Sequence, residues 1–132
     1  MDKKWETEPN DKEFDSNGYK CVVKRHPSLG HLCGYVHIPK SHPLWGKSYD
    51  ELYELGVNVD VHGGLTFSDQ EGDAWVFGFD CAHFGDLVPS TLAHDFGIGD
   101  VYRDMEYVTA ETKSLAGQLQ VLSRATLDVP ER

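Results

Sequence analysis

The chain is short of cysteine, of positive charge and of long apolar runs, and each shortage excludes a class of protein. Three cysteines, Cys21, Cys33 and Cys81, form no CxxC pair and are an odd number, so a secreted disulfide framework is not expected. No stretch approaches the roughly 18–20 consecutive apolar residues that a membrane span needs. The opening Met1-Asp2-Lys3-Lys4-Trp5 leads into an acidic stretch and not into the apolar core of a secretion signal. These features predict a cytoplasmic protein without a membrane partner. Twelve Lys and Arg against 22 Asp and Glu give a net charge of -10, which disfavours non-specific attachment to phosphate backbones. HExxH, HxHxDH and CxxC…CxxC patterns are missing, as are internal repeats and low-complexity tracts.

What is present suits one ordinary domain. The chain has 132 residues, 39% of them hydrophobic, with six Phe, six Tyr and three Trp. Each aromatic can bury roughly 150–250 Å², so the core needs neither metal nor disulfide. Residues 1–17 are polar, acidic and aperiodic and are expected to form a flexible arm, with residues 18–132 as a single globular domain. Asn17-Gly18 signals a turn. Tyr19–Arg25 and His31–Ile38 read as a β-hairpin joined through His26-Pro27-Ser28-Leu29-Gly30. Ser48-Tyr49-Asp50-Glu51 has the form of a capping box, opening a short helix that Gly56 stops.

Val57-Asn58-Val59-Asp60-Val61 alternates strictly and predicts a strand. Leu65-Thr66-Phe67 reads as a strand fragment, Ser68–Asp73 as a polar loop, and Trp75–Phe79 as a central strand. Residues 85–101, with four Gly or Pro, read as a long irregular segment of the kind often used functionally. Leu115, Leu119 and Leu122, widened by Ala116, mark one face of a helix over Thr109–Ala125. The expected fold class is α+β, a mostly antiparallel β-sheet with a short helix and a C-terminal helix packed on one face.

Two clusters follow strands and carry the chemistry. In Asp60-Val61-His62-Gly63-Gly64 the valines take one face, leaving Asn58, Asp60 and His62 on the other. The paired glycines permit positive φ and backbone N–H groups lining an anion. In Asp80-Cys81-Ala82-His83-Phe84-Gly85-Asp86, charged groups at the end of a buried strand are costly unless paired or used. The alternative is a hairpin turn and a structural Asp–His hydrogen bond. His62, Asp80 and His83 form a two-His, one-carboxylate set that could hold zinc or another divalent ion, with Asp86 orienting a ligand His. Cys81 suits a small buried hydrophobe better than a nucleophile. Trp45, Tyr49, Tyr53, Tyr102 and Tyr107 are candidate stacking surfaces, Trp45 foremost for its Pro-rich loop beside Gly46, and Arg103 is the candidate for bidentate contact with phosphate or carboxylate.

Together Cys33-Gly34-Tyr35-Val36, His42-Pro43-Leu44-Trp45-Gly46, Asp60–Phe67 and Phe77–Asp86 resemble a family of small uncharacterised proteins encoded by bacteriophages and prophages. The resemblance covers roughly residues 18–125. It implies a setting, the cytoplasm of a host cell, and no mechanism. Small phage accessory proteins often counter host defence, and one class sequesters nucleotide-derived immune signals in pockets, frequently at an oligomer interface. The expected function is therefore a phage-type accessory protein that binds and sequesters a small polar, nucleotide-derived ligand, with an anti-defence role, no cofactor, and room for a homo-oligomer. Trp45, His62, Gly63, Gly64, Asp80, His83, Asp86 and Arg103 would bind that ligand. The alternatives are a small metal-dependent hydrolase of nucleotides or phosphoesters, using His62, Asp80 and His83, and an acidic protein-binding inhibitor.

Overall fold

The computed structural model describes residues 3–90 and 100–124. Its elements run α1 (Lys4–Thr7), β1 (Asp11–Ser16), β2 (Tyr19–Arg25), β3 (Leu32–Ile38), α2 (Tyr49–Glu54), β4 (Phe67–Glu71), β5 (Ala74–Asp80) and α3 (Met105–Leu122). The five strands form one sheet in the order β1-β2-β3-β5-β4, antiparallel at every neighbouring pair. The fold is α+β, with α3 packed across β2, β3 and β1.

The expected hairpin is β2–β3, paired from Lys20↔His37 to Arg25↔Leu32. The capping box is formed: Glu51 N–H donates to Ser48 Oγ, and Ser48 N–H to the Glu51 carboxylate. The stripe on α3 also holds, with Leu115, Ala116 and Leu119 fully buried and Leu122 half-buried against the core. The helix starts earlier than Thr109, because Asp104 caps it by accepting from Tyr107 N–H. The expected end at Ala125 lies outside the described residues.

Three expectations need correction. Residues 1–17 are not an arm throughout: Asp11–Ser16 is an edge strand, turned back by Asn17 and Gly18 at φ 54° and 84°. Two positive φ values at Asn-Gly suit a tight hairpin turn, which pairs Ser16 with Tyr19 and Asp11 with Lys24. The segment before it is tied down by Glu8, which accepts from the Tyr102 hydroxyl and from Met105 N–H while Arg25 lies 3.5 Å away.

Ser68–Asp73 is not a loop, since Phe67–Glu71 pairs with β5 as the other edge strand. Its polar side chains suit an edge exposed to water, and Gly72 at φ 61° closes the turn. Among the described residues Val57–Val61 pairs with no strand. Val57 and Val61 are buried as the alternation predicts, but the backbone is satisfied by the helix: Asp60 N–H donates to Gln118 Oε1, and Gln118 Nε2 donates back to Asp60 C=O.

Two residues of the motif segments hold the helix to the sheet. Buried His42 donates from Nε2 to Leu119 C=O and accepts Leu44 N–H at Nδ1. Burial holds its imidazole below the ordinary value, so the neutral ring can play both parts. Gly34 on β3 lies where a Cβ would run into Thr112 Oγ1 of α3 and the Phe79 ring. Gly34→Ala should therefore push helix from sheet and cost about 1–3 kcal/mol, the usual range for overpacking. Urea melts of the variant check this, and an unchanged midpoint would show that the contact yields freely.

Candidate functional site

The Asp60–Gly64 and Asp80–Asp86 clusters meet against the first half of α3. Residues 61–64 form a tight turn, closed by Gly64 N–H to Val61 C=O at 2.8 Å, with φ 68° at Gly63 and 81° at Gly64. Only glycine takes such angles at little cost. Gly63 has a second constraint, because a Cβ there would run into the His83 imidazole. The turn is anchored to the helix by His62 N–H, which donates to Glu111 Oε1 at 2.8 Å.

Asp86 organises the centre. Its side chain is 1% exposed and accepts from three directions: His62 Nε2 at 2.9 and 3.0 Å, His83 N–H at 3.0 Å and Arg103 Nε at 3.0 Å. Burial alone would raise the Asp86 carboxyl, but these donors outweigh it and hold the group below the ordinary carboxylate range. A carboxylate only accepts, so His62 carries its proton on Nε2. Its Nδ1 then accepts from the Tyr107 hydroxyl at 2.8 Å. Burial raises the Tyr107 phenol, with Glu111 adding to the effect, so this hydroxyl keeps its proton. The result is a fixed chain Tyr107–His62–Asp86.

Arg103 stacks over the Tyr107 ring at 5.1 Å and meets Asp86 through Nε alone. Among the described residues its terminal nitrogens have no hydrogen-bond partner, so a forked pair of donors remains available. The His83 ring lies edge-on to His62, centroids 6.0 Å apart. Its Nε2 is 3.2 Å from Asp80 Oδ1, an ion-pair distance without hydrogen-bond geometry, and that nitrogen is otherwise unpartnered. Asp80 itself accepts from Thr66 Oγ1 and Ala82 N–H.

His62, Gly63, Gly64, Asp80, His83, Asp86 and Arg103 thus come together. Trp45 does not. Its indole N–H donates to Asp73 C=O, and its ring packs on Trp75 and under Lys40. Asp73 immediately precedes β5, whose other end is Asp80, and seven strand residues span about 20 Å. Two exposed aromatics border the cluster instead. Phe84 is fully exposed in the turn that Asp86 N–H closes onto His83 C=O, and Tyr53 is mostly exposed with its hydroxyl beside Gly64. Glu111 and Thr66 are the residues that sequence reasoning left out of the site, and Tyr107, one helical turn before Glu111, entered it only as a stacking surface and not as the partner of His62.

Both ring nitrogens of His62 are engaged within the protein. Among the described residues no group of three or more His, Cys, Asp or Glu side chains is arranged to hold a metal ion. All three cysteines are free and buried. Burial pushes the Cys21 and Cys33 thiols up to about 11 and the Cys81 thiol higher still, the opposite of an activated nucleophile. Of the irregular segment expected over 85–101, residues 91–99 lie outside the described residues. On either side, Val101 N–H bonds to Gly85 C=O and Leu87 N–H to Val101 C=O, which seats Arg103 beside Asp86. No helix among the described residues is long and apolar enough to cross a membrane. No family model, curated protein or solved structure matches the chain.

Proposed function

We propose that this cluster captures a small, anionic, nucleotide-derived ligand and holds it without turning it over, the sequestering role of a phage-type accessory protein. The observation that carries the reading is the position of Arg103. Its Nε is held by a buried carboxylate and its guanidinium carbon lies over the Tyr107 ring, while its terminal donors have no partner among the described residues. A guanidinium held in this way loses little freedom on meeting a phosphate, which it can grip bidentately. His83 Nε2 adds a polar group within the same cluster, and the Gly63-Gly64 turn allows close backbone approach. Phe84 and Tyr53 supply the apolar faces on which a base could stack, the part first given to Trp45.

Capture suits these residues better than catalysis. Tyr107 is a neutral phenol and the cysteine thiols are raised. His62 has both nitrogens occupied by internal partners.

The test is calorimetry with a panel of mononucleotides and cyclic nucleotides, followed by chromatography of the recovered ligand. Wild-type protein should bind at least one of them saturably and return it intact. Arg103→Ala should weaken that binding about tenfold to a hundredfold, the value of a charge-assisted hydrogen bond. No binding across the panel, or a hydrolysed ligand, would overturn the proposal.

A further inference from the structure

Arg103 sits on a stretch without regular structure. Residues 102–104 lie between the Val101 bridge and the first turn of α3, so neither sheet nor helix fixes their backbone. A guanidinium on such a stretch gives up freedom when it grips an anion, and the grip weakens accordingly unless something else holds the chain. The bridge to Asp86 holds it on one side only.

The N-terminal segment holds the other side. The Trp5 ring meets the Tyr102 ring edge-on, centroids 5.0 Å apart. The Tyr102 hydroxyl donates to Glu8 Oε1 at 2.7 Å and accepts from Arg25 Nη1 at 2.8 Å. Burial pushes the Tyr102 phenol up to about 12, so it keeps the proton that it donates. The second oxygen of Glu8 accepts Met105 N–H at 2.8 Å, one of the donors that a helix start leaves unpaired. Lys4 closes an ion pair with Asp104 at 2.9 Å, an exposed contact that adds little. Residues 102, 104 and 105 thus each take a contact from residues 4–8. Arg103 alone of the four turns away, to Asp86 and the Tyr107 ring.

The sequence builds this clamp locally. Pro9 favours extended backbone at the residue before it, and Glu8 is extended at φ -77° and ψ 153°, which ends α1. Arg25 fastens the base of the segment to β2. Its Nε donates to Asn10 Oδ1, its Nη1 to Gly30 C=O as well as to Tyr102, and its Nη2 to Pro9 C=O. The two arginines divide the work: Arg25 has all three nitrogens engaged inside the protein, whereas Arg103 keeps its terminal donors open.

We infer that residues 4–8 form a strap that positions Arg103 for ligand capture, with Glu8 and Trp5 as its positioning residues. The ligand rests on the capture reading above; the positioning does not, because Arg103 can be observed with nothing bound. Full-length Glu8→Ala and Trp5→Ala test this beside Leu122→Ala, a change at the edge of the core far along α3. Neither Glu8 nor Trp5 belongs to the core cluster, so both variants should fold. The readouts are the order parameter of the Arg103 Nε–H group by nitrogen-15 relaxation, which reports its motion directly, and calorimetric affinity for inorganic phosphate. Wild type should show a rigid Nε–H group. Glu8→Ala and Trp5→Ala should broaden its signal or lower its order parameter, and phosphate affinity should fall about tenfold in parallel, the worth of one charge-assisted contact. Leu122→Ala should match the wild type in both. An unchanged Arg103 signal in the two strap variants, full phosphate affinity despite a lost signal, or an equal change in Leu122→Ala would overturn the inference. A wild type that binds neither phosphate nor any nucleotide, with the Arg103 signal lost in the strap variants, would sink the capture reading and leave the positioning role standing.

Discussion

Asp86→Ala should destabilise the protein by about 3 kcal/mol, the lower end of the range for removing one partner of a buried ion pair. The change strands three donors at once: His62 Nε2–H, His83 N–H and Arg103 Nε–H. The low end is expected because His62 and Arg103 are partly exposed and can recruit water. The pH dependence follows from the depressed Asp86 carboxyl. The unfolded chain takes up its proton near the ordinary value of 3.8, the folded chain only at lower pH. The stabilisation is therefore complete above the ordinary value and is lost as pH falls through the folded one. Denaturant melts of wild type and variant should differ fully at neutral pH and converge below about pH 4. A constant difference down to strong acid would mean that the loss comes from packing and not from the carboxylate.

The same carboxylate shows how much of the site was legible in the sequence. His62, Asp80, His83 and Asp86 sit in two short clusters, each placed directly after an apolar segment, one alternating and one continuous. Local pattern was enough to bring these together. Tyr107 and Glu111 were not legible in this way. They occupy i and i+4 on a long helix, a spacing equally suited to a solvated face, and their partner His62 lies 45 and 49 residues earlier. Trp45 was misplaced for a related reason: it had the right chemistry and a loop setting, but nothing local says at which end of the sheet that loop lies.

The fold was legible where burial wrote the pattern and obscure at the edges. β2 and α3 place their buried apolar residues on one face at the period of their element, and β5 is a continuous apolar run buried on both faces. β1 and β4 do neither, because Asp-Lys-Glu-Phe-Asp-Ser and Phe-Ser-Asp-Gln-Glu face water along most of their length. The signs for them were in the turns, Asn17-Gly18 and Gly72-Asp73, and needed a partner strand to be read as hairpins. Val57–Val61 carries the opposite lesson. Its alternation reported burial correctly, yet hydrogen bonds from Gln118, outside any strand, decided its secondary structure.

Leu119→Ala should cost about 2–5 kcal/mol, the usual range for a fully buried leucine. The residue is 0% exposed and belongs to the same core cluster as Phe77, Val36 and Leu44. The upper half of the range is expected because its surroundings are held and cannot collapse into the vacated space. Leu119 C=O takes a hydrogen bond from buried His42, whose own loop is pinned by Leu44 N–H. Leu122, one turn on, is only half-buried, so Leu122→Ala should lose well under half as much. Chemical denaturation of the two variants measures the ratio. Equal losses would mean that the C-terminal turn is packed as tightly as the middle of the helix. A Leu119→Ala loss under about 1 kcal/mol would show that α3 lies on the sheet without closing its core.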